Sequence, residues 1–132
     1  MAVQLDHVMV PCRDKIASAK LLAHLLGVPW ATSGVGPFAP VFVNDGLTLD
    51  FDQTDQPFPL THFAFRVSDD EFDAILGRLE AAGIAYRSSV HGPVDNKVDT
   101  EHGGRILYWN QPDGHAWEIL TVSYARAPER AP

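Results

Sequence analysis

The sequence predicts an α+β fold built from two βαβββ modules. Three observations support this class: the second half of the chain repeats the residue pattern of the first, each half has one segment with helical apolar spacing, and each half ends in a segment typical of a hairpin. A chain of 132 residues is long enough for one domain with a hydrophobic core. We expect this domain over 1–122, with module one over about 3–53, a linker over 54–60, module two over about 61–122 and a C-terminal tail over 123–132.

The first strand of each module carries a histidine. Residues 3–10 (VQLDHVMV) have the alternating pattern of a half-buried strand, in which His7 shares a face with Met9. Pro11 is expected to end the strand. THFAFRV opens module two in the same way, and His62 shares a face with the arginine four residues later. Both histidines therefore lie opposite the face that carries the bulkier apolar side chains.

One helix is expected to follow the first strand in each module. Residues 16–26 carry apolar side chains at helical spacing, after Asp14 and before Gly27, a residue type that commonly ends a helix in the left-handed conformation. Residues 68–83 begin with Ser68 as an N-cap and with an acidic first turn, which suits the positive end of a helix dipole.

The rest of each module is predicted to consist of strands and turns. Residues 39–51 form a hairpin around Asn-Asp-Gly. In module two, 84–89 is expected to be a short strand and 104–122 the final hairpin. The polar stretch 90–104 is expected to be a long loop, a candidate lid.

The two modules place the same chemistry at corresponding positions. His7 and His62 each lie seven residues before an aspartate at a helix start, and Asp50 and Glu118 each lie four residues after a turn glycine. His115 corresponds to a leucine in module one and, because strand side chains alternate, it points away from Glu118. We therefore expect His115 to be structural, with a hydrogen bond to the backbone near the hairpin.

Two strand histidines and one or two carboxylates indicate a divalent-metal site. Imidazole nitrogens and carboxylate oxygens suit iron, nickel, zinc and manganese, and two histidines with one carboxylate leave positions open for a substrate. The alternative is that His7 is a structural histidine and Glu118 a solvated strand residue. The repeat favours the metal site, because it places histidines and acids at equivalent positions in both modules.

Three segments resemble the vicinal oxygen chelate superfamily: LDHVMV, THFAFRV and GGRILYWNQPDGHAWEIL. This group includes glyoxalase I, type I extradiol dioxygenases, fosfomycin-resistance proteins and bleomycin-resistance proteins. The resemblance covers about residues 3–122. It implies the glyoxalase/bleomycin resistance/dioxygenase fold, in which two βαβββ modules pair into a curved mixed sheet that encloses a cavity. It identifies the superfamily but not the reaction.

The resemblance also implies roles for five residues. His7, His62 and Glu118 are the expected metal ligands. Asp50 is expected as a fourth ligand or, because it is one methylene shorter than the glutamate of glyoxalase I, as a group that holds a metal-bound water or orients a ligand. Family members bind two adjacent substrate oxygens on the metal, which acts as a Lewis acid. Glu118 is then also the candidate catalytic base, and Arg66 the candidate contact for an anionic substrate, with a surface ion pair as its alternative.

Two functions remain open for the chain. The first is a small metal-dependent enzyme with an isomerase, lyase or related reaction. Extradiol dioxygenases usually have more βαβββ modules than this chain, so that reaction is disfavoured. Glyoxalase I activity is disfavoured as well, because neither its second carboxylate ligand nor its glutathione site is evident in the sequence. The alternative is a metal-free binding protein similar to the bleomycin-resistance proteins, which sequester a cationic drug in an acidic groove.

The composition limits the partners and the compartment. A formal net charge of −7 disfavours nucleic acid and anionic membranes, and no apolar run reaches the roughly 18 residues that span a bilayer. The single cysteine, Cys12, and an N-terminus unlike a signal peptide favour the cytoplasm. We expect a small-molecule substrate and a homodimer.

Overall fold

Two units make up the chain in the computed structural model, which describes residues 2–126; one unit extends to Pro59 and the other begins at Leu60. Within the described residues, each unit contains one α-helix and one three-stranded mixed sheet. The predicted α+β class is therefore confirmed. No helix in the described range is long and apolar enough to cross a membrane.

Unit one contains one helix and three strands: β1 (His7–Cys12), α1 (Lys15–Leu26), β2 (Ala39–Asn44) and β3 (Leu47–Gln53). The strand order is β1-β3-β2, with β1 parallel and β2 antiparallel to β3. The predicted end of the first strand at Pro11 is wrong, since β1 continues to Cys12. Proline is tolerated here because β1 is an edge strand, where the missing N–H costs no ladder bond.

Unit two repeats this arrangement: β4 (His62–Arg66), α2 (Asp69–Ala81), β5 (Ile106–Asn110), β6 (Ala116–Leu120) and a short 3₁₀ helix (Tyr124–Arg126). Its strand order is β4-β6-β5, with β4 parallel and β5 antiparallel to β6. The first and last strands of each unit thus pair side by side. This pairing brings the histidine of the first strand next to the strand that carries the carboxylate.

Both helices begin as their local sequences predict, and α1 also ends at the predicted glycine, whereas α2 ends at Ala81, two residues before Gly83. The Asp14 side chain accepts a hydrogen bond from the amide of Ala17 at 3.0 Å, and Gly27 ends α1 at φ 73°. Ser68 and Glu71 form a reciprocal capping box at the start of α2. These caps fix the points at which β1 and β4 pass into their helices.

The βαβββ pattern predicts a strand between the helix and the hairpin of each module, and in each unit this strand is reduced to a single bridge. Trp30 pairs with Val41 in unit one, and Arg87 pairs with Tyr108 in unit two, so the strand expected over 84–89 is wrong. Arg87 exchanges both of its backbone bonds with Tyr108, so the amides on either side of it point away from β5. These two amides bind loop side chains: Tyr86 donates to Asn96 Oδ1 at 3.1 Å, and Ser88 donates to Asp95 Oδ1 at 3.1 Å.

Alternation along β1 separates a packed face from an open one. Val10 and Cys12 are fully buried, whereas His7 and Met9 are exposed, as the sequence pattern predicts. In β6 the pattern differs, because Glu118 is as completely buried as its apolar neighbours Trp117 and Ile119. A fully buried carboxylate requires partners, and these partners define the candidate site.

Candidate metal site

Glu118 lies in the middle of β6 with no exposed surface. Its Oε1 atom is 2.9 Å from Nε2 of His62, and the hydroxyl group of Tyr124 lies 3.2 Å from Oε1 and 3.1 Å from Oε2. Both carboxylate oxygens are therefore contacted by polar groups. The solvated strand position considered for Glu118 is wrong.

The register of two parallel strands brings His62 to Glu118. In the β4–β6 ladder, Ala64 lies opposite Glu118 and His62 lies opposite Ala116, so the histidine and the glutamate are diagonal neighbours on one face. The His62 side chain is 40% exposed while the carboxylate is completely buried. Solvent therefore contacts the imidazole of this pair but not the carboxylate.

The two donor atoms are close enough for one divalent ion to bind both. The 2.9 Å separation of Nε2 and Oε1 is that of a hydrogen bond between the imidazole and the carboxylate. A divalent ion bound by both atoms would take the place of the shared proton. Within residues 2–126, no group of three or more His, Cys, Asp or Glu side chains is already gathered as a complete metal cage.

His7 is the exposed histidine at the start of β1, with 62% of its side chain accessible. Its Nδ1 atom lies 2.8 Å from Oδ2 of Asp6. This hydrogen bond and the charge of Asp6 raise the pKa of His7 above its usual value, and the charge of Asp50 adds a small contribution. An Nδ1 contact of this kind orients the ring and leaves Nε2 as the nitrogen that a metal would bind.

Asp50 shares a pocket with His7. It lies in β3 opposite Met9 of β1, and the pocket has a volume of about 550 Å³. The other lining side chains are mostly apolar: Val35, Phe38, Pro40 and Phe42. Unit one therefore presents one histidine and carboxylates beside an apolar wall.

Arg66 lies at the end of β4, four residues after His62. Its exposed guanidinium group forms no hydrogen bond or ion pair with any described residue, so the surface ion pair considered for Arg66 is not formed there. With Leu120 and Tyr124 it lines a second pocket of about 340 Å³. A cation in a pocket, with no ion-pair partner among residues 2–126, suits an anionic group.

His115 makes a buried backbone hydrogen bond of the structural kind expected, but with the start of β4 and not with the hairpin. It is completely buried, and its Nδ1 atom accepts a hydrogen bond from the amide of Thr61 at 3.1 Å. Its carbonyl oxygen accepts from the amide of Gln111 at 2.8 Å. The side chain thus joins the final hairpin to the start of β4.

Two tyrosines complete the surroundings of Glu118 and were not predicted. Tyr108 lies opposite Glu118 in the β5–β6 ladder, and its ring is 6.0 Å from that of His62. Burial, above all, raises the pKa of Tyr108, and its hydrogen bond to Tyr124 acts in the same direction. Tyr108 could have been predicted, because the register of the final hairpin places it opposite Glu118. Tyr124 could not, because it falls in the segment expected to be a tail.

Comparison with curated proteins finds transferases of similar length. The chain is 29% identical over 128 residues to a metallothiol transferase FosB from Lysinibacillus sphaericus (strain C3-41), which covers 92% of this chain and 84% of that protein. It is 28% identical over 134 residues to a glutathione transferase FosA from Serratia marcescens, covering 95% of this chain and 85% of that protein. No family model matches the chain.

Solved structures give the stronger similarity. The oxidase ChaP-H2 superposes with a TM-score of 0.87 at 40% identity, over 94% of this chain and 97% of that one. The oxidase ChaP-H1 gives 0.86 at 41% identity, over 93% and 98%. A glyoxalase/dioxygenase from Nostoc punctiforme shares the fold at a TM-score of 0.67 and 23% identity.

These similarities extend over nearly the whole chain and include both units. They confirm the glyoxalase/bleomycin resistance/dioxygenase fold implied by the three sequence segments. The chain belongs to the vicinal oxygen chelate superfamily.

Proposed function

We propose that the chain is a metal-dependent enzyme whose divalent ion is held by His7, His62 and Glu118. The observation that carries this proposal is the fully buried Glu118 carboxylate, with Oε1 2.9 Å from Nε2 of His62. When bound, the ion supplies Lewis-acid chemistry to a substrate that offers two adjacent oxygens. Iron, nickel, zinc and manganese all accept these ligands. One FosX from Listeria monocytogenes was solved in complex with Mn(II).

Asp50 is proposed to act beside His7 in the same pocket. Its carboxylate either binds the ion directly or orients a ligand or a bound water. Glu118 is proposed to serve both as ligand and as the base that accepts a substrate proton. Arg66, which has no ion-pair partner among the described residues, is proposed to bind an anionic group of the substrate.

Among the possible reactions, oxidation is favoured over isomerisation or lysis. The solved relatives named as oxidases share 40% and 41% identity with this chain, well above the curated transferases at 29% and 28%. Among the described residues, the pocket of His7 is lined by apolar side chains, two carboxylates and Thr48, with no lysine or arginine. This lining suits a largely apolar substrate that carries one anionic group for Arg66 better than it suits a small phosphonate anion.

We propose a homodimer as the working form. His7 and Asp50 belong to unit one, whereas His62 and Glu118 belong to unit two, so the ligand set draws on both units. The site is completed either within one chain or between two copies, and mixed dimers distinguish these arrangements. If two copies share each site, mixing inactive His7→Ala and Glu118→Ala chains restores one intact site per dimer. If each chain carries its own site, the mixture stays inactive.

The cytoplasmic location stays a prediction.

Metal analysis tests the proposed function. Protein purified without chelators is expected to contain about one divalent ion per chain, and a His7→Ala/Glu118→Ala double variant is expected to contain none. Oxygen consumption with candidate substrates then tests the oxidase reaction. A wild-type protein that takes up no divalent ion under any supplement contradicts the proposal. That result would favour the metal-free alternative, in which the acidic chain of net charge −7 sequesters a cationic compound.

A further inference from the structure

Tyr124 contacts both oxygens of the Glu118 carboxylate. It lies in the short 3₁₀ helix Tyr124–Arg126, just after β6, and its hydroxyl oxygen is 3.2 Å from Oε1 and 3.1 Å from Oε2. A hydroxyl has one proton to donate, so near-equal distances describe a hydrogen bond shared between the two oxygens. A shared donor of this kind opposes rotation of the carboxylate, because rotation lengthens at least one of the contacts.

We propose that Tyr124 is a positioning residue that holds the Glu118 carboxylate with Oε1 facing Nε2 of His62. The inference rests on the proposed function, in which these two atoms bind the same ion. Tyr124 is then a partner of the ligand and does not bind the ion itself. Hydrogen-bond partners of this type orient ligands and tune their affinity for the metal.

The Tyr124 ring is itself held on two sides. The ring of His102, in the long loop, lies 5.7 Å away at 46°, and its Nδ1 atom is 3.0 Å from Oδ2 of Asp99. Asp99 is fixed to β5 by two backbone hydrogen bonds with Ile106, at 2.8 and 2.9 Å. On the other side, Tyr108 hydrogen-bonds to Tyr124. The hydroxyl position is therefore set by the loop and by the sheet together.

The position of Tyr124 also separates positioning from folding. The residue is 41% exposed, whereas the core of the sheet is formed by residues such as Trp109, Trp117 and Ile119. Removing the hydroxyl group alone is therefore expected to leave the apo protein folded. The effect is expected to appear in metal binding, because that is the step that requires a fixed carboxylate.

The test compares Tyr124→Phe with Tyr86→Phe, a change at another tyrosine of unit two that is 9% exposed. Metal affinity is measured by competition with a chelator, and the melting temperature of each apo protein is measured in parallel. We expect Tyr124→Phe to bind the ion about 10- to 100-fold more weakly, while the apo protein still folds and melts a few degrees below the wild type because the buried carboxylate loses one donor. Tyr86→Phe is expected to keep the wild-type affinity. His102→Ala, which removes the ring beside Tyr124 but keeps the hydroxyl, is expected to lose less affinity than Tyr124→Phe.

The outcomes separate this inference from the proposed function. If the wild type binds metal and Tyr124→Phe binds it equally well, the positioning role is wrong while the metal site stands. If the wild type binds no metal, the proposed function fails and the inference fails with it. A parallel loss of affinity in Tyr86→Phe assigns the effect to general loosening of unit two and also overturns the inference.

Discussion

Nε2 of His62 lies 2.9 Å from Oε1 of Glu118, across the parallel strands β4 and β6. A completely buried carboxylate is costly unless it is paired, and its retention in a sheet points to a role other than stability. We therefore expect Glu118→Gln, which keeps the shape but removes the charge, to leave the apo protein as stable as the wild type or more stable. Metal binding is expected to be lost.

Thermal melts with and without metal check this prediction. A ligand present at about 100 times its dissociation constant stabilises the protein that binds it by about 2.7 kcal/mol. The wild type is expected to show such a shift, and Glu118→Gln is expected to show none. An equal shift in both proteins would rule out Glu118 as a ligand.

His115→Leu is expected to lower stability and to leave metal binding unchanged, the opposite of the effect expected for Glu118→Gln. Leucine is the residue at the corresponding position of module one, so the substitution imitates the other half of the chain. It leaves the amide of Thr61 without the Nδ1 acceptor that now lies at 3.1 Å, which is expected to cost about 1–3 kcal/mol. Urea unfolding measures this cost, and metal affinity is expected to stay at the wild-type level. A loss of metal with unchanged stability would reverse the roles assigned to His115 and Glu118.

Features that depend on neighbouring residues were predictable from the sequence. The caps at Asp14 and Ser68 depend on residues within one turn, and strand alternation alone placed His115 and Glu118 on opposite faces. The repeat paired His62 with Glu118 because both units use the same strand order. The ligand set as a whole stays a prediction.

Features that depend on distant partners were not predictable in the same way. The segment 84–89 has strand-forming residues, but only Arg87 pairs with β5, and Asp95 and Asn96 bind the amides on the opposite edge of the segment. Tyr124 follows the last strand and belongs to no periodic pattern, so nothing local marks it as a partner of Glu118. Both features depend on contacts between residues that meet only after the sheet has formed.

The capping box of α2 predicts a pH-dependent contribution to stability. The side chain of Glu71 accepts a hydrogen bond from the amide of Ser68 at 2.8 Å, and this bond is the main reason why the pKa of Glu71 lies below its usual value. A carboxyl group whose pKa is lowered by folding contributes its full stabilisation above the unfolded-state pKa. That contribution is lost as the pH falls through the lower, folded-state pKa.

Glu71→Gln isolates the charge in this prediction, because glutamine can still accept the hydrogen bond of a capping box. The wild type is expected to be more stable than Glu71→Gln at pH 7, and the difference is expected to shrink as the pH falls below 4.5, the ordinary pKa of a glutamate side chain. Urea unfolding of both proteins across this range measures the difference. A difference that stays constant with pH would show that the carboxylate charge contributes nothing to the cap.

Substitution of Arg105 is expected to lower stability, whereas substitution of Arg66 is expected to weaken the binding of an anionic ligand. Arg105 pairs with Asp73 at 2.6 Å and with Asp69 at 3.0 Å, and its guanidinium group lies 4.3 Å from the centre of the Phe72 ring. Arg105→Gln is expected to cost about 1–2 kcal/mol of stability, from a partly exposed ion-pair network and a cation–π contact, with no change in ligand binding. Arg66→Gln is expected to change stability by less than about 0.5 kcal/mol, since Arg66 has no such partners among the described residues.

Binding measurements complete this comparison at Arg66. A hydrogen bond to a charged group contributes about 1.5–3 kcal/mol, so Arg66→Gln is expected to weaken the binding of an anionic substrate or inhibitor by about 10- to 100-fold. Its affinity for the metal is expected to stay unchanged, because Arg66 donates no ligand. Calorimetric titration of both variants, first with metal and then with the anionic compound, measures the two affinities separately. If Arg66→Gln binds the anion as tightly as the wild type does, Arg66 has no part in the substrate site. A loss of anion affinity in Arg105→Gln as well would mean that net charge, and not the pocket beside Tyr124, determines the binding.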